Sequence, residues 1–454
     1  MKQPLRGSYW FKSGAYTLVE RLALQAFRFG TFYLLIRGLS REDFGIWTLF
    51  LIITTLVEVI RMGLIQNALI KFLARAPSHR IEGRIHTASL SLHFLVCILA
   101  GLVLFIMGQG VHFWGELPIL DEMLYLYIFS LFALIPYYQN NFILQSKLAF
   151  KGIMVSSLVR QGVFFLYVLL AFWVVDVPLK LIHLAGFHIV SSTLASLVAI
   201  RMGKPHWNFS RYLDFRWLRW LSGYGKYVVG TNLGSMLIKT LDQLMLGSLL
   251  SPIATAIYST AIKIVNLAEI PTQTAAAIVF PQSARRLETQ GKPALKALYE
   301  KSVGIVLALI IPLISLIALF PEPIVKFIAG EAYLDVVPIL RITLLYALFV
   351  PFSRQFGITM DALGKPKTNF QVVIFSAGLN ALLNLIMIPI WGLMGAAVAT
   401  LISLLMVFVL NQYLLWKDLG VQSWQSLKYA WKVYENGWGI LRHKLFSTTQ
   451  KSLP

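Results

Sequence analysis

The chain has 454 residues, 57% of them hydrophobic and only 13% charged, with a mean hydropathy of +0.70. That balance lies outside soluble globular usage and excludes a water-soluble enzyme or binding domain as the main body. The net charge of +20 is spread over many short loops rather than gathered on one stripe, so anionic lipid explains it better than nucleic acid. A single cysteine, Cys97, leaves no disulfide, CxxC pair or cysteine-based zinc site within the chain.

At the start, Lys2, Arg6 and Lys12 precede a segment too long and too polar for a cleavable signal, so the N-terminus is expected to be cytoplasmic and retained. A spanning helix needs about 20 mostly apolar residues. That ruler predicts about twelve spans, at 14–37, 44–69, 86–108, 123–145, 153–174, 180–200, 227–249, 254–280, 302–320, 335–358, 369–390 and 393–416. The loops between them alternate in charge. Lys71, Arg75, Arg80 and Arg84 crowd one loop, whereas the next carries Glu116, Asp121 and Glu122 without Lys or Arg. The positive-inside rule then makes 70–85, 146–152, 201–226, 281–301, 359–368 and a tail from Lys417 cytoplasmic. The outer loops are short, the longest being 109–122 and 321–334. The fold class expected is an all-α polytopic membrane protein with both termini in the cytoplasm.

An even helix number and weak internal similarity divide the chain into two six-helix lobes. Residues 134–139 (Leu-Ile-Pro-Tyr-Tyr-Gln), followed by Lys151 and Gly152, resemble 348–355 (Leu-Phe-Val-Pro-Phe-Ser-Arg-Gln), followed by Gly364 and Lys365. Pro136 and Pro351 thus fall at equivalent points of helices four and ten, where each is expected to bend its helix. The expected organisation is a lobe over 1–200, a basic linker over 201–226 with an interfacial helix, a lobe over 227–416 and a basic amphipathic tail over 417–454. Halves of the same orientation are the parallel-repeat arrangement of transporters, which enclose a cavity and work by alternating access. Two stretches are expected to lie on the membrane: 211–221, where aromatics interleave with Arg216 and Arg219, and the tail around Trp424, Leu427 and Trp431.

Ionisable groups at membrane depth are costly and face a wet cavity or a partner. Helix one carries Arg21, Gln25 and Arg28 on one face, and helix two carries Glu58 and Arg61 one turn apart. Arg160 is on helix five, Lys239 and Asp242 are on helix seven, Lys263 and Glu269 on helix eight, and Arg341 and Arg354 on helix ten. Cations outnumber carboxylates, which suits a phosphate or diphosphate held by bidentate contacts. Arg28, Lys263, Arg21, Arg61 and Arg341 are therefore the candidates for substrate contact, and Glu58, Lys239, Asp242 and Glu269 for charge pairing or coupling. The competing readings are structural. Glu58 with Arg61, and Lys239 with Asp242, can neutralise each other at i, i+3, while Arg21, Arg160 and Arg354 can snorkel to headgroups. The amides Asn140, Asn141, Gln145, Asn266, Asn380 and Asn384 suit interhelical hydrogen bonding more than sugar contact.

The chain carries no GxxxxGK[ST] loop and no HExxH, and His183 and His188 point to different helix faces, so neither a nucleotide nor a metal cofactor is expected. A glycan polymerase or ligase would call for a large outer loop with paired carboxylates.

Several segments together resemble a known family: Phe44 to Trp47 opening helix two, 241–247 (Leu-Asp-Gln-Leu-Met-Leu-Gly), 256–263, 280–283 (Phe-Pro-Gln-Ser) and 361–367 (Asp-Ala-Leu-Gly-Lys-Pro-Lys). In their order and spacing the chain is similar to the polysaccharide-transporter, Wzx-type flippase branch of the MOP exporter superfamily, which also holds the lipid II flippases and the MATE drug exporters. The resemblance implies two six-helix lobes in a bacterial inner membrane. It also implies transport of a polyprenyl-diphosphate-linked oligosaccharide to the outer leaflet, with membrane lipid and polysaccharide assembly proteins as partners. By the same resemblance Arg28 or Arg21 matches the essential helix-one arginines of the lipid II flippases, Lys263 stands where they have a cation, and Asp242 matches the helix-seven aspartate. Asn266 replaces an acidic residue. A cation-coupled drug exporter is the alternative within the fold, and would want carboxylates in the cavity.

Overall fold

The computed structural model describes the backbone of residues 7–74, 76–114, 119–173 and 179–449; side chains outside the description include those of 7–15, Lys239 and 437–449. The described residues form α-helices and short 3-10 turns, without a strand. They cluster into two units, Met1–Met236 and Leu237–Pro454.

The first unit holds α1 (Gly7–Gly38), α2 (Arg41–Ala74), α3 (His79–Trp114), α4 (Leu120–Ala133), α5 (Ile135–Ser146), α6 (Phe150–Trp173), α7 (Leu181–Gly203) and the start of α8 (Phe215–Leu249). Ser40 starts α2 by accepting from Asp43 N at 3.0 Å while its hydroxyl donates to the Asp43 carboxylate at 2.8 Å, a reciprocal cap. Helix four bends by 41° at Leu134, between α4 and α5, with Pro136 in the first turn of α5 where a missing N–H costs nothing. Ile65, Leu69, Leu92, Ile143 and Ala195, from four helices, meet in the core.

The segment joining α7 to α8 does not dangle. Trp207 Nε1 donates to Asn140 Oδ1 at 2.6 Å, Asn208 donates to the His79 carbonyl, and Ser210 N donates to Gly83 O at 3.1 Å. Thr87 Oγ1 donates to Ser210 O at 2.9 Å, and Asp214 pairs with Arg84 at 3.3 Å. A Cβ at Gly83 would stand 3.2 Å from Asn208, so glycine gives this strap its close seat on α3.

The second unit holds the rest of α8, then α9 (Pro252–Ala268), α10 (Ile270–Leu319), α11 (Pro321–Ala329), α12 (Val336–Leu344), α13 (Tyr346–Ala362), α14 (Pro366–Leu419) and α15 (Ser423–Thr449). Ser251 caps α9 through Ala254 N at 3.2 Å, with Pro252 at its first turn. Gly392, at φ 56°, splits α14 into two antiparallel helices. Asn380 donates to Thr400 at 2.9 Å, Ser403 to the Ser376 carbonyl at 3.5 Å, and a Cβ on Gly395 would overlap Met387 O.

Several boundaries differ from those predicted. Helix 254–280 is broken at Glu269, because Pro271 opens α10 and cannot continue the hydrogen-bond ladder of α9. The expected loop 281–301 is largely helical, turned only at Gly291 with φ 75°. In helix ten the break falls at Leu345, and Pro351 lies inside an unbroken α13. The tail helix α15 packs along α10, with Gln422 N on Glu300 Oε1 at 3.0 Å and Tyr434 OH on Ala308 O at 2.7 Å.

Seven helices among the described residues are long and apolar enough to cross a membrane, or eight with α4 and α5 counted as one bent span. The two helices of α14 count there as one segment, Lys367–Leu419. The chain is an all-helical, multi-pass membrane protein.

Candidate functional site

Two polar clusters and a set of exposed cations carry the site candidates. In the first unit Glu58, on α2, accepts from Arg160 Nη2 on α6 at 2.5 Å, from Tyr138 OH on α5 at 2.6 Å and from Tyr127 OH on α4 at 3.1 Å. Four helices thereby converge on one carboxylate. The direct ion pair of Glu58 is with Arg160, across helices, rather than with Arg61 at i, i+3. Arg61 is fully buried, donates Nη1 to the Leu131 carbonyl at 3.1 Å and lies 4.1 Å over the Tyr138 ring. Arg160, expected among the snorkelling residues, is the ion-pair partner, 19% exposed. Sequence reasoning passed over Tyr127 and Tyr138, because a tyrosine in an apolar run reads as core until its hydroxyl has a partner.

In the second unit Asp242, on α8, is 5% exposed. It accepts from Tyr258 OH on α9 at 2.7 Å, from Asn384 Nδ2 on α14 at 2.6 Å and from Thr400 Oγ1 on α14 at 2.8 Å. Asn380 supports the set through Thr400 at 2.9 Å and through Asn384 at 3.1 Å. These donors among the described residues are all neutral, so they hold the carboxylate without cancelling its charge. The Lys239 side chain, expected as its partner, lies outside the described residues. Asn141 and Gln145 bridge helices: Ser156 donates to Asn141 at 2.8 Å, and Gln66 donates to Gln145 at 3.1 Å.

The cations expected at a substrate site are arranged differently. Helix α1 turns Phe27 and Gly30 toward α6, where Phe27 stacks on Phe165 at 5.3 Å and a Cβ on Gly30 would meet Phe165 at 2.6 Å. Arg21, Gln25 and Arg28 fall on the other face and are exposed. Lys263 and Glu269 are half-buried on α9 and at its end, and Arg341 is exposed on α12. The structure therefore brings Glu58, Arg160 and Arg61 together in one unit and gathers four α9 and α14 residues around Asp242 in the other. Arg28, Arg21 and Arg341 stay on surfaces.

Comparison with known proteins follows the same lines. The family model described as polysaccharide biosynthesis protein matches residues 34–338. An uncharacterised membrane protein of Methanocaldococcus jannaschii is 25% identical over 407 residues, covering 84% of this chain and 79% of that protein. The probable low-salt glycan biosynthesis flippase Agl15 of Haloferax volcanii is 24% identical over 255 residues, covering 56% of this chain and 51% of its own length. Among solved structures, the lipid II flippase MurJ in an inward closed conformation has a TM-score of 0.74 at 14% identity, covering 98% of this chain and 93% of its own. An inward-facing MATE family transporter of the MOP superfamily has a TM-score of 0.71 at 14% identity, covering 90% and 94%. At that identity the likeness concerns the fold.

Proposed function

The chain belongs to the polysaccharide biosynthesis protein family and has the MOP-superfamily fold, and on that premise we propose that it is a flippase. Its substrate is a polyprenyl-diphosphate-linked oligosaccharide, carried from the inner to the outer leaflet of the cytoplasmic membrane by alternating access. The observation that carries this reading beyond the family is the exposed cationic face of α1. In a spanning helix, the role the sequence assigns to 14–37, an exposed guanidinium has to meet water or an anion, since hydrocarbon would charge several kcal/mol for it. Arg28, with Arg21 on the same exposed face, receives the diphosphate through bidentate hydrogen bonds in this reading. Lys263, taken by itself in the second unit, is a further candidate for phosphate contact, a point-like cation.

Arg61 is left out of the diphosphate site, because it is fully buried inside the first unit, against Leu131 O and the Tyr138 face. Glu58 and Arg160 form a structural clamp. Asp242 takes the coupling role: a buried carboxylate whose donors among the described residues are neutral can gain and lose a proton or a small cation without dismantling an ion pair with them. The polyprenyl chain stays in lipid while the glycan crosses in water. A MATE-like drug exporter would present carboxylates, not arginines, to its substrate.

Deleting the gene separates the two. The flippase reading expects lipid-linked oligosaccharide to build up with drug sensitivity unchanged; heightened drug sensitivity without such accumulation would reverse it.

A further inference from the structure

We propose that residues 207–220 form a rigid membrane-surface site that binds the headgroups of anionic phospholipid. The strap begins where the candidate span Leu181–His206 ends, which puts it at the membrane boundary. Its inner side is fully committed: Trp207, Asn208, Ser210 and Asp214 hold α5 and α3, and Trp217 packs edge-on against Phe72 at 5.6 Å. Its outer side presents Tyr212 at 79% exposure, Phe215 at 72% and Trp220 at 53%. Arg211, Arg216 and Arg219 are exposed beside them. Asp214, the one acid in the strap, is engaged by Arg84 and so does not cancel these three cations.

Aromatic rings interleaved with arginines are what a headgroup layer accepts, the rings seating at the acyl boundary and the guanidiniums on phosphate. A solvated protein surface offers no reason to hold three large rings out in water at the tip of a well-bonded segment. Each arginine near an anionic surface contributes about 1 kcal/mol, roughly a fivefold change in binding, so three of them together discriminate anionic from zwitterionic lipid. The preformed strap loses little conformational freedom on binding.

Hydrogen–deuterium exchange of the full-length protein tests this in nanodiscs of phosphatidylcholine alone and of phosphatidylcholine with phosphatidylglycerol. Exchange over 207–220 is expected to slow by at least about threefold when phosphatidylglycerol is present, and to recover at high salt. The Arg211→Gln/Arg216→Gln/Arg219→Gln variant should lose that response while exchange over 79–92, the seat of the strap, stays as in the parent, which reports that the fold is intact. As an independent check, Tyr212→Ser/Phe215→Ser should raise exchange in both lipids and keep the phosphatidylglycerol response. Equal exchange in the two lipids, or a full response surviving in the triple variant, overturns the proposal. So does protection that arises only on adding a soluble protein fraction, which would make the occupant a protein.

Discussion

At the residue scale, the two buried carboxylates are satisfied in opposite ways, and the difference predicts opposite outcomes on mutation. Glu58 sits in an ion pair with Arg160 and two tyrosine hydroxyls. Removing one partner strands a buried charge, so Glu58→Gln or Arg160→Met should destabilise by about 3–5 kcal/mol. The Glu58→Gln/Arg160→Met pair should cost clearly less than the two singles added together, read by thermal unfolding in detergent. Asp242 has only neutral partners among the described residues, and Asp242→Asn keeps the volume and most of the hydrogen bonding. It is expected to fold and insert normally while transport no longer responds to an imposed proton or sodium gradient. Arg28→Ala, on an exposed face of α1, should lower transport at least about tenfold with insertion unchanged, the cost of one charge-assisted contact. Arg28→Lys should recover part of that activity, since the charge returns without the planar fork. The sequence exposed these positions as charges out of place, but not their partners: Arg160 is 102 residues from Glu58, and Asn384 is 142 from Asp242. Spacing along one helix finds i, i+3 neighbours, and the pairs that formed are between helices.

At the element scale, glycine and proline decided where helices end. Pro136 marked the bend in helix four as its sequence position implies, whereas Pro351 is carried inside α13 and the break lies at Leu345, with no turn residue to announce it. Gly392 was legible only as the gap between two apolar runs; its positive φ is what folds α14 back on itself. The packing of α15 was not legible, because its Trp-rich face reads as interfacial while the small residues Ser426 and Ala430 are the ones that seat it on α10. At Gly304 a Cβ would lie 2.5 Å from Tyr429 Cβ and 2.6 Å from Ser426 O. Gly304→Val should therefore push α15 off α10, costing about 1–3 kcal/mol. The checkable result is faster amide exchange over 423–434 with that over α3 unaffected.

At the scale of the whole molecule, hydropathy and charge alternation were sufficient to reach a multi-pass helical membrane protein before any contact was known. Among the described residues length and apolarity pick out seven or eight spans; α9 is apolar but short, and α1 and α8, which carry charges, are not picked out. Those charges are the same ones that single out the substrate and coupling candidates. Membership of the family and the lipid-flippase-like fold then turn a cationic surface into a proposal about which leaflet a lipid-linked glycan occupies. The most direct test is leaflet accessibility of lipid-linked oligosaccharide in cells depleted of this protein, probed with a membrane-impermeant glycan reagent before and after permeabilisation. Accumulated oligosaccharide that reacts only after permeabilisation is the predicted result. Oligosaccharide that accumulates already exposed on the outside would contradict it, because translocation would then be complete without this protein.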